Sequence, residues 1–194
     1  VLVSLIVKCV ILALFWSNYS EQAPDPYQIW GGDEAHWYRL AERIDDSIGK
    51  VGFFNCFLDL ENITGTYHHG WPFIVGICFF LFGKNVFYAL VAKQVIYAVS
   101  CYYLYKLSRM INYSYRVSYC VLVFAILYPP MLINSFSLLR EEIIFGFITI
   151  IFYNLYKIKH QRNSLYITHL LTITIILFTF TIRMHVGAIL AGMY

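Results

Sequence analysis

The sequence predicts an all-α, polytopic transmembrane protein with a long outer loop that carries two interfacial helices. Three observations predict it. Of the 194 residues, 60% are hydrophobic and 13% charged, against about 25% charged in soluble domains. The apolar residues gather into long runs, and the mean hydropathy is +0.63. Six of the eight basic residues of the second half fall in two short segments that hold no acidic residue. A chain this apolar cannot cover itself with polar surface, so the bilayer is its expected solvent.

A membrane span needs roughly 20 apolar residues. Residues 1–16 are nearly enough, and they lack the small-residue cleavage site of a signal peptide. Residues 86–105 are long enough. Residues 117–128 are short but can extend back through "NYSY". Residues 138–156 and 164–182 are both adequate, and 186–194 read as a further span cut off by the end of the sequence. The chain does not begin with Met and stops inside "VGAILAGMY". It therefore reads as the N-terminal part of a longer protein, one module over residues 1–194.

Residues 72–82, "PFIVGICFFLF", are the exception. Eleven helical residues reach only about 16 Å, against a hydrocarbon core of roughly 30 Å. Pro72 stands where a helix can begin and Gly83 where it can end. The segment reads as an interfacial or re-entrant helix. Charge supports that choice, because short basic loops mark the cytoplasmic side. Lys106, Arg109 and Arg116 fill one such loop, and Lys157, Lys159 and Arg162 the other. Both fall on the cytoplasmic side only if 72–82 does not span. All 11 acidic residues then lie on the outer side, which is where the chemistry is expected.

The long outer loop is residues 17–85. Its first part, "SEQAPDPYQIWGG", reads as irregular chain. A surface helix over about 33–47 follows. Trp37, Leu40, Ala41, Ile44 and Ile48 make its apolar face, and Arg39, Glu42, Arg43 and Asp46 its polar one. Such a helix lies on a membrane surface. Asp33 can cap it and Glu34 suits the positive end of its dipole. The same two carboxylates could instead take a proton from a hydroxyl or hold a metal ion. Glu34, Tyr38 and Ala41 share a flank.

Other polar residues stand in apolar surroundings. Lys93, with Gln94, lies inside the 86–105 run; an intramembrane Lys faces a partner or a cavity. Either it binds an anionic group or it pairs with an acid such as Glu141 or Glu142. Lys8 in the first run can snorkel to the interface. Arg140, Glu141 and Glu142 open a span, where acids suit the dipole. Arg183, near His185, can grip a phosphate with its planar fork or anchor the interface. The five cysteines are scattered with no C-x-x-C pair, so neither a disulfide framework nor a zinc site is indicated. The net charge of +3 is not gathered into a nucleic-acid patch. Three Asn-x-Ser/Thr triplets, at Asn18, Asn62 and Asn112, match a glycan acceptor pattern that recurs by chance.

"GGDEAHWYRLAERI" resembles the first outer loop of the GT-C membrane glycosyltransferases, which include the protein mannosyltransferases and the aminoarabinose transferase. Asp33, Glu34, Tyr38 and Ala41 match that loop. "HHGWPFIVGICFFLFGKN" is similar to the family's Pro-rich entry and short apolar helix. "YPPMLINSFSLLREEIIFGFITI" is similar to its outer turn, with an acid opening the next span. "FTFTIRMHVGAIL" resembles a span end carrying an arginine. The segments keep the family's order over most of the chain.

The resemblance implies a glycosyltransferase that takes a sugar from a polyprenyl-phosphate or dolichyl-phosphate carrier on the outer or lumenal face. It gives that sugar to a hydroxyl of a glycan, lipid or protein acceptor, with inversion. It implies Asp33 as general base and Glu34 as its partner acid, with Tyr38, Arg140, Glu141 and Glu142 in support. Lys93, Arg183, His69 and Lys84 are the candidates for the carrier phosphate. A divalent metal ion is the one cofactor the resemblance leaves room for. The setting is the bacterial inner membrane, or the endoplasmic reticulum in a eukaryote. One departure stands out: many relatives carry a Lys beside the prolines of the second segment, where this chain has His68-His69-Gly70-Trp71-Pro72. A glycan repeat-unit polymerase or a lipid-linked sugar transporter is the alternative reading, and neither would need Asp33 as a base.

Overall fold

The computed structural model describes residues 6, 8–10, 12–14, 17, 32–66, 68–112, 114–129, 134, 137–138, 140–160 and 165–194; the side chains at positions 32, 33, 112 and 165 are outside the description. Residues 20–31 of the expected irregular stretch 20–32, and the Asp33 carboxylate, therefore lie outside the described residues, while Gly32 already opens a helix. Among the described residues the chain is all-helical, with no strand.

The described residues between 6 and 17 are helical. Helix α1, Gly32–Val51, follows. Two short helices, α2 (Phe53–Leu58) and α3 (Leu60–Thr64), fold back against it. Helix α4, Gly70–Phe82, packs on α1. Then come α5 (Val86–Asn112), α6 (Tyr115–Leu127), α7 (Glu141–His160), α8 (Leu165–Ile182) and α9 (Met184–Met193). Helix α5 lies against α4, α6 and α7, while α8 joins α7, α9 and α4.

The apolar stripe of α1 is buried: Trp37, Leu40, Ala41, Ile44 and Ile48 all face the core. What covers it is α4, rather than the membrane surface the sequence alone suggested. The two helices approach closely because Gly76 has no side chain. A Cβ there would stand 2.7 Å from Ile44 Cγ2 and 3.1 Å from the Ala41 carbonyl oxygen. Most of α4 is buried as well, including Trp71, Phe73, Val75 and Phe79. Pro72 sits in its first turn, where a missing N–H costs nothing. Gly83 ends it at φ +87°, a backbone angle that favours glycine.

Helix α5 has 27 residues, about 40 Å at 1.5 Å per residue. Its segment Val86–Ile111 is long and apolar enough to cross a membrane. Helix α6 is shorter than a span. It begins at Tyr115 because the Ser114 side chain accepts a hydrogen bond from the Val117 N–H and caps the helix there. Helices α5 and α7 meet closely at Gly146, where a Cβ would collide with Ser100.

Candidate functional site

The charged residues that the sequence scatters come together in two layers. The inner layer is buried between α5, α7 and the N-terminal helical segment. Lys93 and Glu142 are both 0% exposed, with Nζ and Oε2 3.3 Å apart. Gln94 Nε2 donates to the same carboxylate oxygen at 3.3 Å. Lys8 Nζ stands 3.7 Å from Glu142 Oε1 and 3.9 Å from the Tyr97 ring centroid. Lys8 therefore does not snorkel: it is drawn inward by a carboxylate and an aromatic face. Lys93 also donates to the carbonyl oxygens of Asn134 and Ser137. Of the two expectations for Lys93, pairing with an acid is the arrangement present.

Between the layers lies Leu138, whose backbone is held from two helices. Glu34, 3% exposed, accepts the Leu138 N–H on Oε1 at 2.9 Å. Trp71 Nε1 donates to the Leu138 carbonyl oxygen at 2.5 Å. Tyr38 is buried one turn along α1 and packs against the Phe79 ring. Glu34 thus fastens the first turn of α1, which also holds Asp33, to the chain leading into α7. Buried carboxylates require such partners.

The outer layer is a rim at the end of the bundle where α4 and α7 begin and α8 ends. Arg183 pairs with Glu141 at 3.7 Å. Arg140 donates to the Ile182 carbonyl oxygen at 2.9 Å and lies over the Trp37 ring at 4.9 Å. His68 and His69 precede α4, and His185 follows Arg183. His69 Nδ1 lies 3.3 Å from the Thr66 carbonyl oxygen. Burial lowers the His68 pKa from its ordinary value, and the neighbouring Arg140, His185, Arg183 and His69 lower it further. His68 Nδ1, Arg183 Nε and Glu141 Oε2 are buried polar atoms with no hydrogen-bond partner among the described residues. Unpaired buried polar atoms are rare enough to need an explanation.

Next to this rim opens an apolar groove of about 300 Å³, walled by Phe57, Leu60, Phe73, Leu177 and Phe178, with His69 and Thr181 among its lining residues. Lys84 does not join the rim. It sits just beyond the opposite end of α4, bonded to Asp46 at 2.9 Å and 3.7 Å from Asp45. That hydrogen bond holds the Lys84 pKa up and the Asp46 pKa down. A 13-residue helix, about 20 Å long, separates it from His69. Among the described residues no group of three His, Cys, Asp or Glu side chains could hold a metal ion.

The sequence picked out Glu34, Tyr38, Arg140, Glu141, Glu142, Arg183 and His69, and these lie in or beside the two layers. It passed over the role of Lys8, the hold on Leu138 and the environment of His68. Those depend on contacts across the fold that no local pattern reports. Compared with protein-family models, with curated proteins and with solved structures, the chain matches none of them.

Proposed function

We propose that this chain is a membrane glycosyltransferase module of GT-C type. It moves a sugar from a polyprenyl-phosphate or dolichyl-phosphate carrier to a hydroxyl of a glycan, lipid or protein acceptor, on the outer or lumenal face. The observation that carries this reading is a juxtaposition. An apolar groove suited to a lipid chain lies beside a rim of Arg183, Arg140, His68 and His69 suited to a phosphate. The helix start that holds the Asp33-Glu34 pair is tied toward that rim through Leu138. Exposed apolar side chains support the membrane setting: Tyr166, Ile167, Leu170 and Leu177 all face outward on α8.

In this reading the acceptor hydroxyl oxygen attacks the anomeric carbon of the sugar, and its proton passes to the Asp33 carboxylate. The bond from that carbon to the carrier phosphate oxygen breaks, and its electron pair leaves on the phosphate. Arg183 and the rim histidines stabilise the charge that develops there. Glu34 positions the helix start. The bacterial inner membrane is the proposed location, or the endoplasmic reticulum in a eukaryote.

General-base catalysis contributes about 10²–10⁴-fold, so Asp33→Asn is expected to cut sugar transfer by that factor while membrane insertion is unchanged. Cells expressing the wild type, Asp33→Asn or Lys93→Ala at matched levels would be compared by mass spectrometry of envelope glycans and lipid-linked sugars. Loss of one sugar from the product with accumulation of its lipid-linked donor supports the transferase. A second reading, a glycan polymerase or lipid-linked sugar transporter, is favoured by the buried Lys8–Glu142–Lys93 group, since intramembrane charges line transport paths. It takes over if Asp33→Asn behaves as wild type and only Lys93→Ala has an effect.

A further inference from the structure

The end of the bundle opposite the rim carries its own cluster of charge. Lys106 and Arg109 lie in the last turns of α5, Arg116 in the first turn of α6, and Lys157 and Lys159 in the last turn of α7. These helix ends converge: the Tyr156 hydroxyl donates to the Met110 carbonyl oxygen at 3.2 Å. The sequence has no Asp or Glu between Glu61 and Glu141, and none after Glu142. The cations here are therefore not offset by acids of their own helix ends.

Aromatic rings are interleaved with them. The Arg109 guanidinium carbon lies 3.4 Å from the Tyr115 ring centroid, and Lys106 Nζ lies 4.6 Å from that of Tyr102. Tyr115 and Tyr119 are largely exposed. Between α5 and α6 opens a crevice of about 520 Å³, lined by Tyr105, Tyr115, Arg116, Tyr119 and Cys120. Its wall is mostly apolar, and Arg116 supplies its positive charge. Tyrosines suit the level of lipid headgroups, and lysines and arginines attract anionic ones.

We infer that this crevice is a binding site for an anionic phospholipid, with the headgroup phosphate on Arg116 and the glycerol and first acyl carbons against Tyr115, Tyr119 and Cys120. The site rests on the membrane topology of the proposed function and is independent of the transferase chemistry. It differs from a diffuse positive field because one guanidinium stands at an apolar recess of its own.

The test uses the protein reconstituted in phosphatidylcholine bilayers, with spin-labelled phosphatidylglycerol and spin-labelled phosphatidylcholine as probes. The wild type is expected to retain the anionic probe preferentially. Arg116→Gln is expected to reduce that preference by about fivefold, the share of one basic residue near a charged lipid surface. Cys120→Trp, which fills the crevice and keeps every charge, is expected to reduce it too. Lys159→Gln, on the same end but outside the crevice, should change it less than either. Equal retention of the two probes overturns the site. So does an unchanged preference in both crevice variants, which would leave only the summed field of the end. Competition by soluble glycerol phosphate as effective as that by the lipid would overturn the assignment to a lipid. Failure to enter the bilayer at all would count against the topology, whereas a defect in sugar transfer has no bearing on this result.

Discussion

Glu142 is a carboxylate held between two lysines with no access to water. Taking such charges out of water is costly, and removing one partner leaves the others buried and uncompensated. Glu142→Gln is expected to destabilise the protein by about 3–5 kcal/mol, read as a loss of thermal stability in detergent. Replacing Lys8, Lys93 and Glu142 together by Met should recover most of that loss, because the desolvation cost goes with the charges. Recovery no better than in the single variant would mean that the cluster is not a charge-balanced unit. His68 offers a pH test. Its folded-state pKa is lowered by burial and by neighbouring cations, so the unfolded chain binds more protons in mildly acidic solution. The stability this residue contributes is full above its ordinary pKa of 6.5 and falls as the pH drops below it. Thermal midpoints measured across that range should decline toward acid, and His68→Gln should flatten the decline. A slope unchanged by that substitution would assign the effect to other groups. An anion bound at the rim should also flatten it, by offsetting the repulsion among Arg140, Arg183 and the histidines.

Elements were the most legible level of the sequence, and their partners the least. The spacing of Trp37, Leu40, Ala41, Ile44 and Ile48 marks one face of a helix, and that face is buried in α1. Nothing in the spacing says that α4 covers it. That choice depends on a glycine some thirty residues downstream (Gly76), which lets two backbones approach. The same limit applies to Lys93. A lysine inside a long apolar run announces a partner, but choosing Glu142 over Glu141 needs the register of α5 against α7. The short reach of 72–82 was legible from length alone, whereas its enclosure by α1 and α5 was not. The helix contact can be tested directly. Gly76→Ala puts a Cβ 2.7 Å from Ile44 Cγ2, 2.9 Å from Ile44 Cβ and 3.1 Å from a backbone oxygen. Overpacking of this kind costs about 1–3 kcal/mol. Gly49→Ala, in the same α1 helix with nothing within 4 Å of its Cβ, should be stabilising by about 0.4–1 kcal/mol. If the two alanines have the same effect on thermal stability, α1 and α4 are not packed as described.

At the scale of the whole molecule, charge is sorted between the two ends of the bundle. Glu34, Arg140, Glu141, Arg183 and the histidines gather where α4 and α7 begin, and a purely basic cluster sits where α5 and α7 finish. A bilayer with basic loops on its cytoplasmic side would orient the molecule by that difference. Both the proposed transferase site and the lipid crevice depend on this orientation, so it warrants its own test. Asn62 lies in α3 and Lys159 near the end of α7, and both side chains are exposed. With Cys9 and Cys120 replaced by Ser, the buried Cys56, Cys78 and Cys101 offer little background to a thiol reagent. In intact cells Asn62→Cys should react with a membrane-impermeant maleimide, and Lys159→Cys should react only after the membrane is opened. The reverse pattern would put the rim on the cytoplasmic side, where an outer-face transferase could not use it. Reaction of both in intact cells would mean that the two ends are not separated by a bilayer, and the exposed apolar side chains of α8 would then have to be covered by protein.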